Sequence, residues 1–197
     1  DLPERRARQR LAVQTTVLNR LLTDGFESDA EARRSLESVG IDATAPFYQV
    51  AVFRFPSGAI EGRAGDRLPI GIAEVALSDA LRRAFGVGKT SHVAGVRHPT
   101  VILFAERAEY EETRRRLRRA MAELGVLAST SGVVGVGTFC SSLSAVGRSH
   151  EEALIAASVS EESTASIREF RDLDLSRSWF YFPQEVEARL SVLMATG

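Results

Sequence analysis

The stretch from Gly132 to Ala157 constrains the fold most. It opens Gly132-Val133-Val134-Gly135-Val136-Gly137, passes through Thr138-Phe139-Cys140-Ser141-Ser142, and reaches Ser149-His150-Glu151-Glu152-Ala153-Leu154-Ile155-Ala156-Ala157. A β-branched run punctuated by glycine predicts a short buried strand. A serine-rich loop and an amphipathic helix follow. The small residues Ala145, Ser149, Ala153, Ala156 and Ala157 would let that helix lie close on a sheet.

The rest of the chain supplies layers for such a unit. Residues 4–23 are helical by the spacing of Leu11, Leu18 and Leu22 beside Val17 and Leu21, with Arg5, Arg6, Arg8, Arg10 and Arg20 on the polar faces. This helix either packs on its own domain or serves as a connector or dimer coil, since two heptads do not decide a coiled coil. Asp24-Gly25 ends it, and Ser28 with Glu31 reads as the capping box of a second helix closing at Gly40. Phe47 to Phe55 alternates as a central strand, with Phe47, Gln49, Ala51, Phe53 and Phe55 on one face and Tyr48, Val50, Val52 and Arg54 on the other. A helix over 70–85 is expected to turn Ile70, Val75, Leu77, Leu81 and Ala84 to the sheet. Strands at 90–94 and 101–104, joined by Gly95-Val96-Arg97-His98-Pro99-Thr100, suggest a hairpin. A helix over 108–124 then places Tyr110, Leu117, Met121 and Leu124 inward and leaves Arg114, Arg115, Arg116, Arg118 and Arg119 mostly solvated. A last strand at 165–170 and a helix at 184–194 complete the series. The order implies an α+β fold, a mixed or antiparallel sheet flanked by helices.

Composition removes several function classes. With 44% hydrophobic residues among 197, the chain can bury a core at the upper edge of one domain. Its 25 basic and 26 acidic residues give a net charge of −1, so no global field draws it to nucleic acid or an anionic membrane. One cysteine, Cys140, cannot form an internal disulfide and suits a reducing compartment. With no membrane span and no secretory signal, a soluble cytoplasmic protein is expected. The chain begins at Asp1 rather than methionine and stops just after an apparent helix, which suggests a piece of a longer protein.

The patterns that imitate chemistry do not survive inspection. Gly86-Val87-Gly88-Lys89-Thr90 lacks the leading glycine of a phosphate loop, with Arg83 in that place, and runs from helix to strand rather than the reverse. Gly135-x-Gly137 lacks a third glycine. His92, His98 and His150 show no paired ligand spacing, so no metal site is expected. Cys140 has no base in the sequence pattern and reads as a packing residue. No catalytic residue and no cofactor are assigned.

The order of these pieces does resemble a known family. The strand Phe47–Phe55, the hairpin turn at 95–100, Val134-Gly135-Val136-Gly137 and Ser149-His150-Glu151-Glu152-Ala153 resemble the degenerate GGDEF-type domain of bacterial transcription regulators. That domain occurs between a receiver or membrane sensor and an AraC-type helix-turn-helix, with a relative in PucR/CdaR-like regulators. Leu21-Leu22-Thr23-Asp24-Gly25-Phe26 and the trailing Tyr181-Phe182-Pro183-Gln184-Glu185-Val186-Glu187-Ala188-Arg189-Leu190 are similar to the AraC-linked version.

The resemblance implies a nucleotidyl-cyclase-like fold divided into a helical connector at 1–45, a degenerate GGDEF-like domain at 46–176 and a linker helix at 177–197. Active cyclases place metal-binding carboxylates at the end of the first strand and in the hairpin turn. Here those places read Phe53-Arg54-Phe55-Pro56 and Gly95-Val96-Arg97-His98-Pro99-Thr100, without a carboxylate, which implies no cyclase activity. The implied role is a non-catalytic regulatory and dimerisation domain. It would form a homodimer, take its signal from an upstream receiver or sensor, and meet DNA only through a C-terminal domain absent from this sequence. The alternative is a small-molecule or nucleotide sensor in which Arg54, Arg97 and His98 contact an anion.

Overall fold

Alternating burial along the first strand sets up two cores. In the computed structural model, which describes residues 2–23, 25–55, 70–93, 98–128, 132–158 and 166–173, that strand is β1, Phe47–Arg54. Tyr48, Val50 and Val52 enter one buried cluster, and Ala51 and Phe53 enter the other. A strand buried on both faces must sit inside a sheet covered by helices on each side. It does so here: β1 lies between β3, Thr100–Ala105, and β4, Val133–Val136, antiparallel to both. The hairpin partner β2, Thr90–Val93, flanks β3, and β5, Ser166–Glu169, pairs in parallel with β4. The sheet is mixed, in the order β2-β3-β1-β4-β5.

Helices cover both faces. Helices α1, Leu2–Leu22, and α2, Asp29–Ser38, share the first core with α5, Val146–Ser158; it includes Leu18, Leu21, Leu36, Val50, Val146 and Ala153. The far face carries α3, Ile70–Phe85, and α4, Tyr110–Ala128, through Leu77, Ala80, Leu81, Leu117, Ala120 and Leu124. The expected α+β class therefore holds. Of the two readings of the first helix, packing on its own domain describes its C-terminal half, where Leu18, Leu21 and Leu22 are buried; further up, Val13 is exposed. The expected helix at 184–194 lies outside the described residues.

Two details depart from the sequence reading. Val75 is 62% exposed rather than turned to the sheet. At about 100° per residue it stands some 200° around the helix from Leu77, so the two cannot share a face. Arg114 is not solvated: its side chain is 21% exposed and held among carboxylates.

The tightest packing joins α5 to β4. A Cβ added at Gly135 would overlap the Ala153 carbonyl oxygen and come within 2.8 Å of Ala157 Cβ; one at Gly137 would lie 2.7 Å from the Ser149 carbonyl carbon. The glycines of the strand and the small residues of the helix are two halves of one contact. We predict that Gly135→Ala lowers the unfolding free energy by about 2–3 kcal/mol, the usual cost of overpacking a well-filled core. Urea denaturation measures this, and a loss below about 0.5 kcal/mol, the scale of an ordinary surface change, would mean that α5 is not pinned at this point.

Candidate functional site

The residues expected near an anion come from the C-terminal end of β1 and the adjoining hairpin. The last paired residues of β1 and β3 are Val52 and Thr100, and Phe53 N–H extends the pairing by donating to Pro99 O at 2.8 Å. One step further in the same register, Arg54 stands across from His98. On its other side Arg54 pairs with Val133 of β4. Arg54 is exposed and His98 half-buried. Thr100 Oγ1 donates to His98 O at 2.9 Å, fixing the end of the hairpin. Arg97 lies outside the described residues. Two of the three candidates thus lie opposite each other, Arg54 at the end of β1 and His98 just ahead of β3.

A denser polar system surrounds α5. Where β4 leaves β1, Gly137 N–H still donates to Val50 O at 3.0 Å, but Val50 N–H turns to Ser149 Oγ at 3.1 Å. Ser149 Oγ in turn donates to Thr138 O at 2.8 Å, so one helix hydroxyl completes the interrupted ladder. Gln49 Nε2 donates to Gly137 O at 2.8 Å. Glu152 is 2% exposed; its carboxylate accepts Thr138 N–H at 2.8 Å and Thr138 Oγ1–H, while Arg148 pairs with its other oxygen at 3.3 Å. His150 Nδ1 lies 3.3 Å from Leu22 O, at the last turn of α1. Ser149, His150 and Glu152 are therefore three structural attachments of α5, to the sheet, to α1 and to the loop that follows β4.

The second helix is clasped to the same place. Asp29, in the first turn of α2, accepts Ser142 Oγ–H at 2.7 Å, Ser144 N–H at 3.0 Å and Leu143 N–H at 3.2 Å. These donors belong to the start of the 3-10 turn, Leu143–Ala145, that leads into α5. Partial burial pushes the Asp29 carboxyl up, but the hydrogen bonds from Ser142, Ser144 and Leu143 outweigh it and hold the group below its ordinary 3.8. Ser28 caps α2 as expected, its Oγ accepting Glu31 N–H at 3.2 Å. Glu31 accepts Glu27 N–H at 3.2 Å and pairs with Arg20 at 3.1 Å, tying α1 to α2. Nothing local foretells the Asp29 clasp, because its partners lie more than a hundred residues away in the chain. An acidic residue in a first helical turn was the available signal, and it fits ordinary helix-dipole chemistry as well.

The remaining sequence candidates resolve into structure. Gly86 and Gly88 have φ of 98° and 75° and form the turn from α3 into β2, with Gly86 N–H capping Arg82 O at 2.9 Å; Lys89 pairs with Glu106. The segment ends a helix and leads into a strand, the reverse of a phosphate loop. Cys140 exchanges backbone hydrogen bonds with Tyr48, and burial, with Glu152 and Asp29 adding negative charge, pushes its thiol up to about 12. Such a thiol is protonated at neutral pH and a poor nucleophile.

A family model described as a GGDEF-like domain matches residues 24–159. The chain belongs to this family. No curated protein matches it. The match spans α2 through α5 and leaves β5 beyond its end. Among the described residues, the end of β1 in this GGDEF-like domain does not offer the ligands that the divalent ions of a cyclase need. Hard cations require oxygen ligands, and β1 ends at the guanidinium of Arg54. Among the described residues no group of three or more His, Cys, Asp or Glu could hold a metal ion.

The Asp29 clasp gives a test with a fixed sign. Because the folded carboxyl sits below its unfolded value, the clasp stabilises fully above that value and loses its effect as pH falls through the folded one. Asp29→Ala is expected to cost about 1–3 kcal/mol at pH 7, in the range for hydrogen bonds to a charged group. The gap to the parent should close as pH drops below 3.8, followed by urea melts at several pH values. A pH-independent gap would assign the cost to packing instead.

Proposed function

We propose that this GGDEF-like domain is a non-catalytic regulatory and dimerisation domain of an AraC-type transcription regulator. It would pass a signal from an upstream receiver or sensor to a DNA-binding domain that follows, working in the cytoplasm as a homodimer. The observation that carries the reading is Arg54 at the end of β1, where cyclase chemistry would need an acidic ligand. The packing supports the regulatory half of the proposal. Helix α1 meets α5 at its last carbonyls, with Leu22 O beside His150 and 3.3 Å from where a Gly147 Cβ would stand. A shift of α1 therefore has a direct mechanical path into the helix that is pinned to the sheet.

The test has two arms. Incubation with GTP and Mg²⁺ or Mn²⁺ should yield no cyclic dinucleotide, and product formation would overturn the non-catalytic reading. In a gel-shift assay residues 1–197 should show no sequence-specific DNA binding; a specific shift would place the DNA-reading surface within this chain.

A second reading draws on the juxtaposition of Arg54 and His98, which suits a sensor for an anion or nucleotide. Thermal-shift titration with inorganic phosphate and with GTP discriminates the two. Stabilisation that Arg54→Ala abolishes favours the sensor, and no stabilisation by either probe counts against it.

A further inference from the structure

Among the described residues the sheet ends at β5, four residues long and paired in parallel with β4. Parallel pairing is the weaker kind per residue. Apolar anchorage is slight: Ile167 packs against the second core, the next two side chains are Arg168 and Glu169, and the following 3-10 turn, Phe170–Asp172, has no buried residue. Charge holds the segment instead. The Glu169 carboxylate, on a side chain 3% exposed, accepts Arg114 Nε–H at 2.9 Å on one oxygen and Arg171 Nε–H at 2.6 Å on the other. Arg114 reaches out from α4 and also donates to Asp172 at 2.6 Å. The Arg171 guanidinium lies 3.7 Å from the ring centroid of Tyr110, the first residue of α4.

We propose that residues 166–173 form an edge strap that lifts from β4 as a unit, with Arg114 as its latch. Segments with few apolar contacts open at low free-energy cost, independently of the global core. Among the strap's described side chains none belongs to the first core, and Ile167 packs against the second. Without Arg114, the buried Glu169 keeps Arg171 as its partner among the described residues, and a buried charge that loses a partner destabilises the place that holds it. The strap also has a line into the domain. Tyr110, beneath Arg171, packs edge-on against Phe139 at 4.8 Å and accepts Phe139 N–H at 3.2 Å, next to the Thr138 that Glu152 grips. Strain arriving along the chain from beyond Leu173 thus meets the latch first and the α5 attachments second. The inference stands on the strap's own contacts and is independent of the role proposed above.

Native-state hydrogen exchange of the full chain, read by peptide, tests it. In Arg114→Gln, and more weakly in Arg171→Gln, exchange in 166–173 should rise by at least about tenfold, as expected for loss of a buried pair. Exchange in β1 and β3 should stay within about twofold of the parent, as for independently opening units. Arg118→Gln, an exposed change on the same helix, should leave the strap unaffected. Equal acceleration of strap and central strands, no acceleration in either latch variant, or failure of Arg114→Gln to fold while Arg171→Gln leaves exchange unchanged would each overturn the proposal.

Discussion

Everything on one face of this domain depends on the absence of two Cβ atoms. Gly135 and Gly137 let the backbone of α5 settle against β4 at a distance no side chain would allow. That approach in turn puts Ser149 within reach of Val50 and Thr138, and Glu152 within reach of Thr138. Steric contact sets the depth of the helix, and hydrogen bonds then fix its position along the strand. With α5 seated this way, the 3-10 turn that leads into it becomes the platform for the Asp29 clasp and its own first turns the platform for α1.

The polar residues of α5 illustrate how a pattern can look chemical and be structural. Serine, histidine and glutamate close together suggest acid–base work. Here each is used for a backbone group: Ser149 replaces a missing ladder bond, His150 faces the carbonyl end of α1, and Glu152 holds a threonine amide. Buried polar groups satisfied in this way specify one arrangement of elements, because any other leaves them without partners.

How much of this was legible in the sequence follows from the range of the interactions. The two-residue period of Tyr48 to Phe53 named both faces of β1 correctly, and small residues at helical spacing announced the close contact of α5. The central position of β1 followed from its apolar residues on both faces. What escaped were features made by distant partners. Arg114 looked like one more solvated arginine because Glu169 and Asp172 lie more than fifty residues on, and Asp29 looked like a helix-start acid. Val75 departs for a different reason: an apolar residue in an apolar helix still faces outward when its angle lies some 200° from that of Leu77. Of the candidate anion site, the pairing register extended past Val52 and Thr100 sets Arg54 opposite His98, and sequence spacing alone could not supply that register.

The strand order has a consequence for how the chain is made. β1 is the central strand, yet neither of its partners is its neighbour in sequence, and β3 begins only at Thr100. During synthesis the apolar run from Val50 to Phe53 therefore emerges well before anything can pair with it. Such unpaired apolar strands are the segments that aggregate, and flanking charges are what interrupt them. Arg54, exposed in the finished domain at the end of this run, stands where a gatekeeper belongs. A cation at the end of β1 would interrupt that apolar run while it waits for its partners, a reason to keep a charge there that has nothing to do with ligand binding.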